Sequence, residues 1–182
     1  MTLPGFKART APPPRRVNVV QGEHFVTDDE GVTLTTVLGS CVAACLFDPQ
    51  RGVGGMNHFL LAESGGGEAA MRYGAYAMEV LINDLMKCGA ARDRLQAKVF
   101  GGAKMMTGLN DIGAGNAAFV RRFLADEGIA IASESLGGFG ARRVEFNPVG
   151  GRVRVREADP EQVRATERRA PQPVADGGVE LF

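Results

Sequence analysis

The window Thr35 to His58, TTVLGSCVAACLFDPQRGVGGMNH, holds the side chains best suited to covalent chemistry. Gly39-Ser40 places Cys41 directly after a tight bend. A bend of this kind exposes the sulfur and presents backbone N–H groups beside it. A nucleophile needs both, so Gly39 and Ser40 are the candidate oxyanion and substrate-binding positions. A free thiol with a pKa of about 8.5 is mostly protonated at neutral pH, and a base must lie close to it. His58 can be that base. The other histidine, His24, lies near the start of the core without comparable surroundings. Cys41 and His58 are 17 positions apart, room for a strand, a turn and a returning strand. Neighbouring strands lie about 4.8 Å apart, so the two side chains can meet across them, although spacing alone does not set the register. Thr35, six residues before Cys41, offers a hydroxyl or a backbone carbonyl to orient the imidazole. Taken singly, each residue has a plainer reading: a small buried thiol, a structural histidine, a β-forming threonine. The combination carries the chemistry.

Other chemistries fit less well. Cys41, Cys45 and His58 are zinc-ligand types, but residues four apart on a strand are about 13 Å apart, and no C-x-x-C pair is present. The expectation is therefore no metal and no cofactor. Gly65-Gly66-Gly67 and Gly101-Gly102 lack the Gly-Lys-Ser/Thr of a P-loop. The chain has 21 Lys plus Arg against 21 Asp plus Glu, and only 12 Phe plus Tyr with no Trp. That balance argues against nucleic acid as a partner. Three cysteines without a secretory signal suggest reduced thiols and a cytoplasmic protein. No run approaches the roughly 20 apolar residues of a membrane span, so no membrane insertion is expected.

The elements that must position this window read as a single α/β or α+β domain with about eight strands and two main helices. Strands are expected at 32–38, 41–47, 53–61, 96–100, 129–133, 144–146 and 152–156. Arg152 to Arg156 alternates strictly, which points Val153 and Val155 inward. A helix from Glu68 to Cys88 has Tyr73, Ala77, Val80, Leu81, Leu85 and Cys88 on one stripe, with Gly89 to stop it. Cys45 and Cys88 both read as core. Asn116 is a candidate cap for a second helix that buries Phe119, Val120, Phe123 and Leu124 and stops at Gly128. Residues 1–16 are basic and Pro-rich, and residues 157–182 are charged. Both read as flexible tails around a core at 17–156.

Several stretches resemble the CheD family of chemoreceptor glutamine deamidases: TTVLGSCVAACLFDP, GGMNHFLL, YGAYAMEVLINDLMKCGA, AKVFGGAKM, IGAGNAAFVRRFLADEGI and LGGFGARRVEFNPVGGRVRV. They run collinearly over most of the core. Ala62 departs from the Pro often found after the Leu-Leu pair. The resemblance implies a Cys-His-Thr triad at Cys41, His58 and Thr35. It implies an α-β-β layered sandwich resembling the catalytic domain of cytotoxic necrotizing factor toxins. It further implies a hydrolase of chemotaxis, a protein-glutamine glutaminase that converts glutamines of methyl-accepting chemotaxis receptors to glutamate through a thioester. Some members also bind a CheC-type phosphatase. The rival is a non-enzymatic chemotaxis adaptor that docks on receptor or phosphatase with Cys41 idle. A general thiol amidase is a third reading.

Overall fold

The apolar run Val42–Asp48 explains the architecture, because every one of its residues is buried. A strand with one wet face would alternate; this one has no wet face. Val42, Ala44 and Leu46 pack in one apolar cluster, while Ala43, Cys45 and Phe47 pack in another. The strand thus lies in a middle layer, with helices on one side and a second sheet on the other.

A computed structural model of the chain describes residues 14–61, 67–105 and 111–159. Its strands are β1 (Arg15–Asn18), β2 (His24–Thr27), β3 (Val32–Leu38), β4 (Val42–Asp48), β5 (Val53–Phe59), β6 (Gln96–Gly101), β7 (Ala130–Leu136), β8 (Arg142–Asn147) and β9 (Arg152–Glu157). Its helices are α1 (Glu68–Lys87) and α2 (Ile112–Asp126), with a single 3-10 turn at Arg92–Arg94. One sheet has the order β1-β3-β8-β9 and the other β2-β5-β4-β6-β7. Among the described residues only the β1–β3 and β6–β7 pairings are parallel. Both helices pack on the five-stranded sheet. The layers are helices, five-stranded sheet, four-stranded sheet, an α+β arrangement.

The seven strands expected from pattern are present. β1 and β2 are additional, short and only partly buried, so they carry no strong periodicity. β1 begins at Arg15 and β9 ends at Glu157, slightly beyond a core at 17–156. Residues 1–13 and 160–182, and Ala62, lie outside the described residues.

Three expectations change. The buried stripe of α1 is Gly74, Met78, Leu81, Ile82 and Leu85: Leu81 and Leu85 lie inward as expected, and the rest of the stripe is shifted. Tyr73 is 41% exposed, and Cys88 caps the helix end in solvent instead of lying in the core. Small Gly74 is what allows that face to seat: a Cβ there would come within 2.7 Å of both Leu61 and Phe119. Second, α2 is capped by Asp111, whose carboxylate accepts from the N–H of Ala114 at 2.9 Å. Asn116 instead sits inside that helix, fully buried. Third, Val153 packs against the inter-sheet cluster, but Val155 on the edge strand β9 is 39% exposed.

The turn from β4 to β5 is held by Asp48. Its carboxylate is fully buried and accepts from the N–H groups of Gln50, Arg51 and Ala91 and from both Nε and Nη2 of Arg94, the last at 2.7 Å. Burial alone would push the carboxyl up. Arg94 and the three backbone donors outweigh burial and hold it well below the usual carboxylate range. A carboxylate with a depressed folded pKa contributes stability above its unfolded pKa of about 4, and that contribution is lost as pH falls. Asp48→Ala strands the Arg94 charge and three N–H groups. It should cost about 3–5 kcal/mol at pH 7 in urea unfolding, and the gap to wild type should narrow by pH 3.

Candidate active site

Cys41 and His58 are brought to one face by register. Ala43 on β4 stands directly opposite His58 on β5. Cys41 precedes Ala43 by two positions and shares its inter-sheet cluster, so it lies diagonal to His58. Such diagonal neighbours have Cα atoms about 7–8 Å apart, with their Cβ atoms somewhat closer. Both residues are 2% exposed, so the bend does not leave the sulfur open to solvent as expected.

Gly39-Ser40-Cys41 is pinned by its carbonyls. Gly39 accepts from the N–H of Ala103 at 2.8 Å, Ser40 from the Asn116 amide at 2.9 Å, and Cys41 from the N–H of Gly102 at 2.8 Å. In a trans peptide the N–H points opposite to the C=O. The N–H groups of Ser40 and Cys41 are therefore aimed away from Asn116 and Ala103. Asn116 also accepts from the N–H of Leu61 at 2.8 Å, tying the bend to the end of β5. Gly101 is obligatory for this approach: its φ is +109°, and a Cβ there would lie 2.1 Å from the Cys41 carbonyl oxygen. The asparagine that the sequence suggested as a helix cap is thus a brace for the Gly39-Ser40-Cys41 bend.

The imidazole is oriented by Thr36. Thr36 Oγ1 donates to the Val19 carbonyl at 2.7 Å and lies 2.9 Å from His58 Nδ1. Its single proton is already given to Val19, so the Thr36 oxygen can only accept from the ring. The Val19 carbonyl, 3.3 Å from Nδ1, can also only accept. Nδ1 therefore carries the proton in the neutral ring, an assignment that follows from this network. Nε2 is left as a buried, bare acceptor with no hydrogen-bond partner among the described residues. Burial pushes the ring's pKa down to about 4, against a smaller raising effect of the Val19 carbonyl. At neutral pH the ring is uncharged, with its basic nitrogen unoccupied.

The threonine at this place is not the one expected. Thr35 and Thr36 are consecutive on β3 and so point to opposite faces. Thr36 faces the inter-sheet layer, where His58 lies. The Thr35 hydroxyl instead meets Asn18 Oδ1 at 3.4 Å. Its backbone reaches the ring indirectly: the Thr35 carbonyl accepts from the Val19 N–H at 2.9 Å, and Val19 in turn faces Nδ1. An adjacent threonine pair in a strand always presents one hydroxyl to each face, and spacing alone does not say which is inward.

The other titratable candidates are accounted for. Cys45 is fully buried, and its thiol is pushed far up by burial despite nearby Lys98. His24 Nε2 pairs with Asp84 of α1 at 2.8 Å. Among the described residues no group of three or more His, Cys, Asp or Glu could hold a metal ion. No described helix is long and apolar enough to cross a membrane. Sequence reasoning passed over Gln21, whose side-chain oxygen accepts from the Cys41 thiol at 3.3 Å. It precedes Gly22, which has φ +87°, in the turn between β1 and β2. The Gln-Gly pair is its only local signal.

The family model described as CheD chemotactic sensory transduction matches residues 60–157. A Caulobacter vibrioides (strain NA1000 / CB15N) protein named probable chemoreceptor glutamine deamidase CheD is 61% identical over 177 residues, covering 92% of this chain and 93% of its own. An Acidiphilium cryptum (strain JF-5) protein of the same name is 59% identical over 180 residues, covering 92% and 94%. Among solved structures, the Bacillus licheniformis hypothetical protein YfiH has 15% identity and a TM-score of 0.40, over 70% of this chain and 61% of that one. The extent and identity of the sequence matches place the chain in the CheD family.

Proposed function

We propose that this chain deamidates glutamine side chains of chemoreceptors, with Cys41 as nucleophile and His58 as the proton carrier. The observation that carries the reading is the bare, buried Nε2 of His58 on the face shared with Cys41. A buried acceptor without a donor costs about 1–3 kcal/mol, a cost that a proton-accepting role accounts for. The names of the close relatives supply the substrate class.

The chemistry follows from these groups. Nε2 takes the Cys41 proton as the sulfur attacks the carboxamide carbon of a receptor glutamine. The oxyanion forms beside the bend, where the N–H groups of Ser40 and Cys41 are the donors at hand. When the intermediate collapses, His58 returns its proton to the departing nitrogen, and ammonia leaves a glutamyl thioester. Water then gives a proton to Nε2 and attacks the thioester carbon. The products are a glutamate side chain and the restored thiol. No step requires a metal or organic cofactor. Each turnover replaces a neutral amide on a receptor helix with a carboxylate, which repels like charges on adjacent helices.

Purified protein incubated with receptor cytoplasmic fragments should raise specific glutamines by about one mass unit, the difference between an amide and a carboxylic acid. Cys41→Ala should abolish the gain; full activity in that variant would end the mechanism.

Thr36 acts as a positioning residue. Thr36→Val removes one acceptor from Nδ1 and leaves Val19 as the other, so kcat/KM should fall about tenfold, the equivalent of one neutral hydrogen bond. Thr35→Val should change it less than about threefold. In the wild type the acid limb of kcat/KM should lie near the His58 value of about 4, well below an ordinary histidine. Thr36→Val should move that limb. Equal losses in the two variants, with an unmoved limb, would remove Thr36 from the mechanism.

A further inference from the structure

The thiol of Cys41 does not point its proton at His58. It donates to the side-chain oxygen of Gln21, while Nε2 of His58 has no partner. The group seated on the nucleophile is a primary carboxamide, chemically the same group as a substrate glutamine.

The backbone on either side of Gln21 is fixed. Val19 donates to the Thr35 carbonyl at 2.9 Å. Gly22 donates to the His58 carbonyl at 2.7 Å, and the His58 N–H returns to Glu23 at 3.0 Å. Val20 donates to the Glu23 carboxylate at 3.2 Å. These bonds tie the Val19–Glu23 turn to the catalytic histidine itself. The Gln21 side chain, by contrast, is only half-buried and borders solvent. The Tyr73 side chain lies beside the same turn: its hydroxyl is 3.8 Å from where a Cβ on Gly22 would stand. Burial, and then the neighbouring Cys41, hold the Tyr73 proton more tightly than usual. Cys41 is covered from this side.

We infer that Gln21 is a side-chain gate on the substrate-amide subsite: its carboxamide occupies the place of the receptor glutamine and keeps the thiol proton away from His58 until a substrate displaces it. This rests on the deamidase reading above. Opening needs rotation of one side chain and loss of one S–H···O bond, with the turn left in place. Gln21 itself escapes attack because its oxygen, held by the thiol proton, faces the sulfur while that proton has not reached His58. On displacement the incoming carboxamide takes the subsite, the thiol proton turns to Nε2, and the dyad forms. A ligand that must first empty its own site binds more weakly by the fraction of molecules already open.

The test uses the full chain in a Cys88→Ser background, since Cys88 is exposed. Iodoacetamide, which carries a primary carboxamide, is the probe, and modified Cys41 is read by peptide mass spectrometry across pH. Gln21→Ala should speed Cys41 alkylation about three- to tenfold and shift its pH profile to lower pH, because the thiol no longer donates to Gln21 and can turn to His58. With receptor fragment it should lower KM by a similar factor and leave kcat within about twofold. Gln21→Glu, which keeps an acceptor on the thiol and adds a charge, should slow alkylation. Unchanged or slower alkylation in Gln21→Ala would overturn the gate. So would a tenfold loss of kcat at constant KM, which would make Gln21 a transition-state donor. If wild type alkylates as expected but never deamidates receptor, the deamidase reading fails and the alkylation arm still decides the gate.

Discussion

The Thr36 hydroxyl has one proton, and the Val19 carbonyl takes it. Everything proposed for the site depends on that donation. With its proton committed, the Thr36 oxygen can only accept, and the neutral imidazole must turn its N–H toward it. The opposite nitrogen is then basic and empty. In many cysteine and serine hydrolases a carboxylate fixes the ring and stabilises its charged form. Here a hydroxyl and a carbonyl fix it, and neither carries charge. Burial lowers the ring's pKa without an anion to restore it. The result is a histidine that is a weak base in the resting protein; in the proposed mechanism it is helped by the thiolate it creates, an ion pair formed only when proton transfer begins.

This small network needs elements from across the chain. Thr36 comes from β3 of the four-stranded sheet and His58 from β5 of the five-stranded sheet, so the ring is held across the interface between sheets. Val19 comes from the turn between β1 and β2, strands that lie at edges of different sheets. The turn crosses from one layer to the other and carries its carbonyl to the ring. The bend before Cys41 is braced from the third layer, because Asn116 on α2 reaches the Ser40 carbonyl. A helix, two sheets and a crossover therefore meet at Cys41 and His58. Precise placement of a buried reactive pair demands such convergence, since packed interiors transmit displacement instead of absorbing it.

Much of this was legible in the sequence. The strand-turn-strand spacing from Cys41 to His58 is a hairpin, as its apolar runs and Asp-Pro-Gln-Arg-Gly turn imply. The apolar continuity of β4 reflects its place in the middle layer. What pattern could not supply was face and partner. Thr35 and Thr36 differ only in which side of β3 they occupy, and that depends on pairing with β8 and packing on β5. Asn116 has the composition of a cap, but its burial against Leu61 and Ser40 arises from long-range contact. Tyr73 and Cys88 fall on a stripe that is apolar in sequence yet turned out, because Gly74 lets the neighbouring face approach more closely. Gln21 lies in a turn flanked by two weak strands, and nothing local marks a polar residue there as a partner of the thiol.

The state of the two nitrogens of His58 in the resting protein tests the account most directly. Nitrogen-15 NMR of the imidazole at neutral pH distinguishes a protonated ring nitrogen from a bare one. The ring is expected to be neutral, with Nδ1 protonated, Nε2 bare, and no imidazolium signal until pH approaches about 4. A proton on Nε2, or a ring charged at neutral pH, would contradict it.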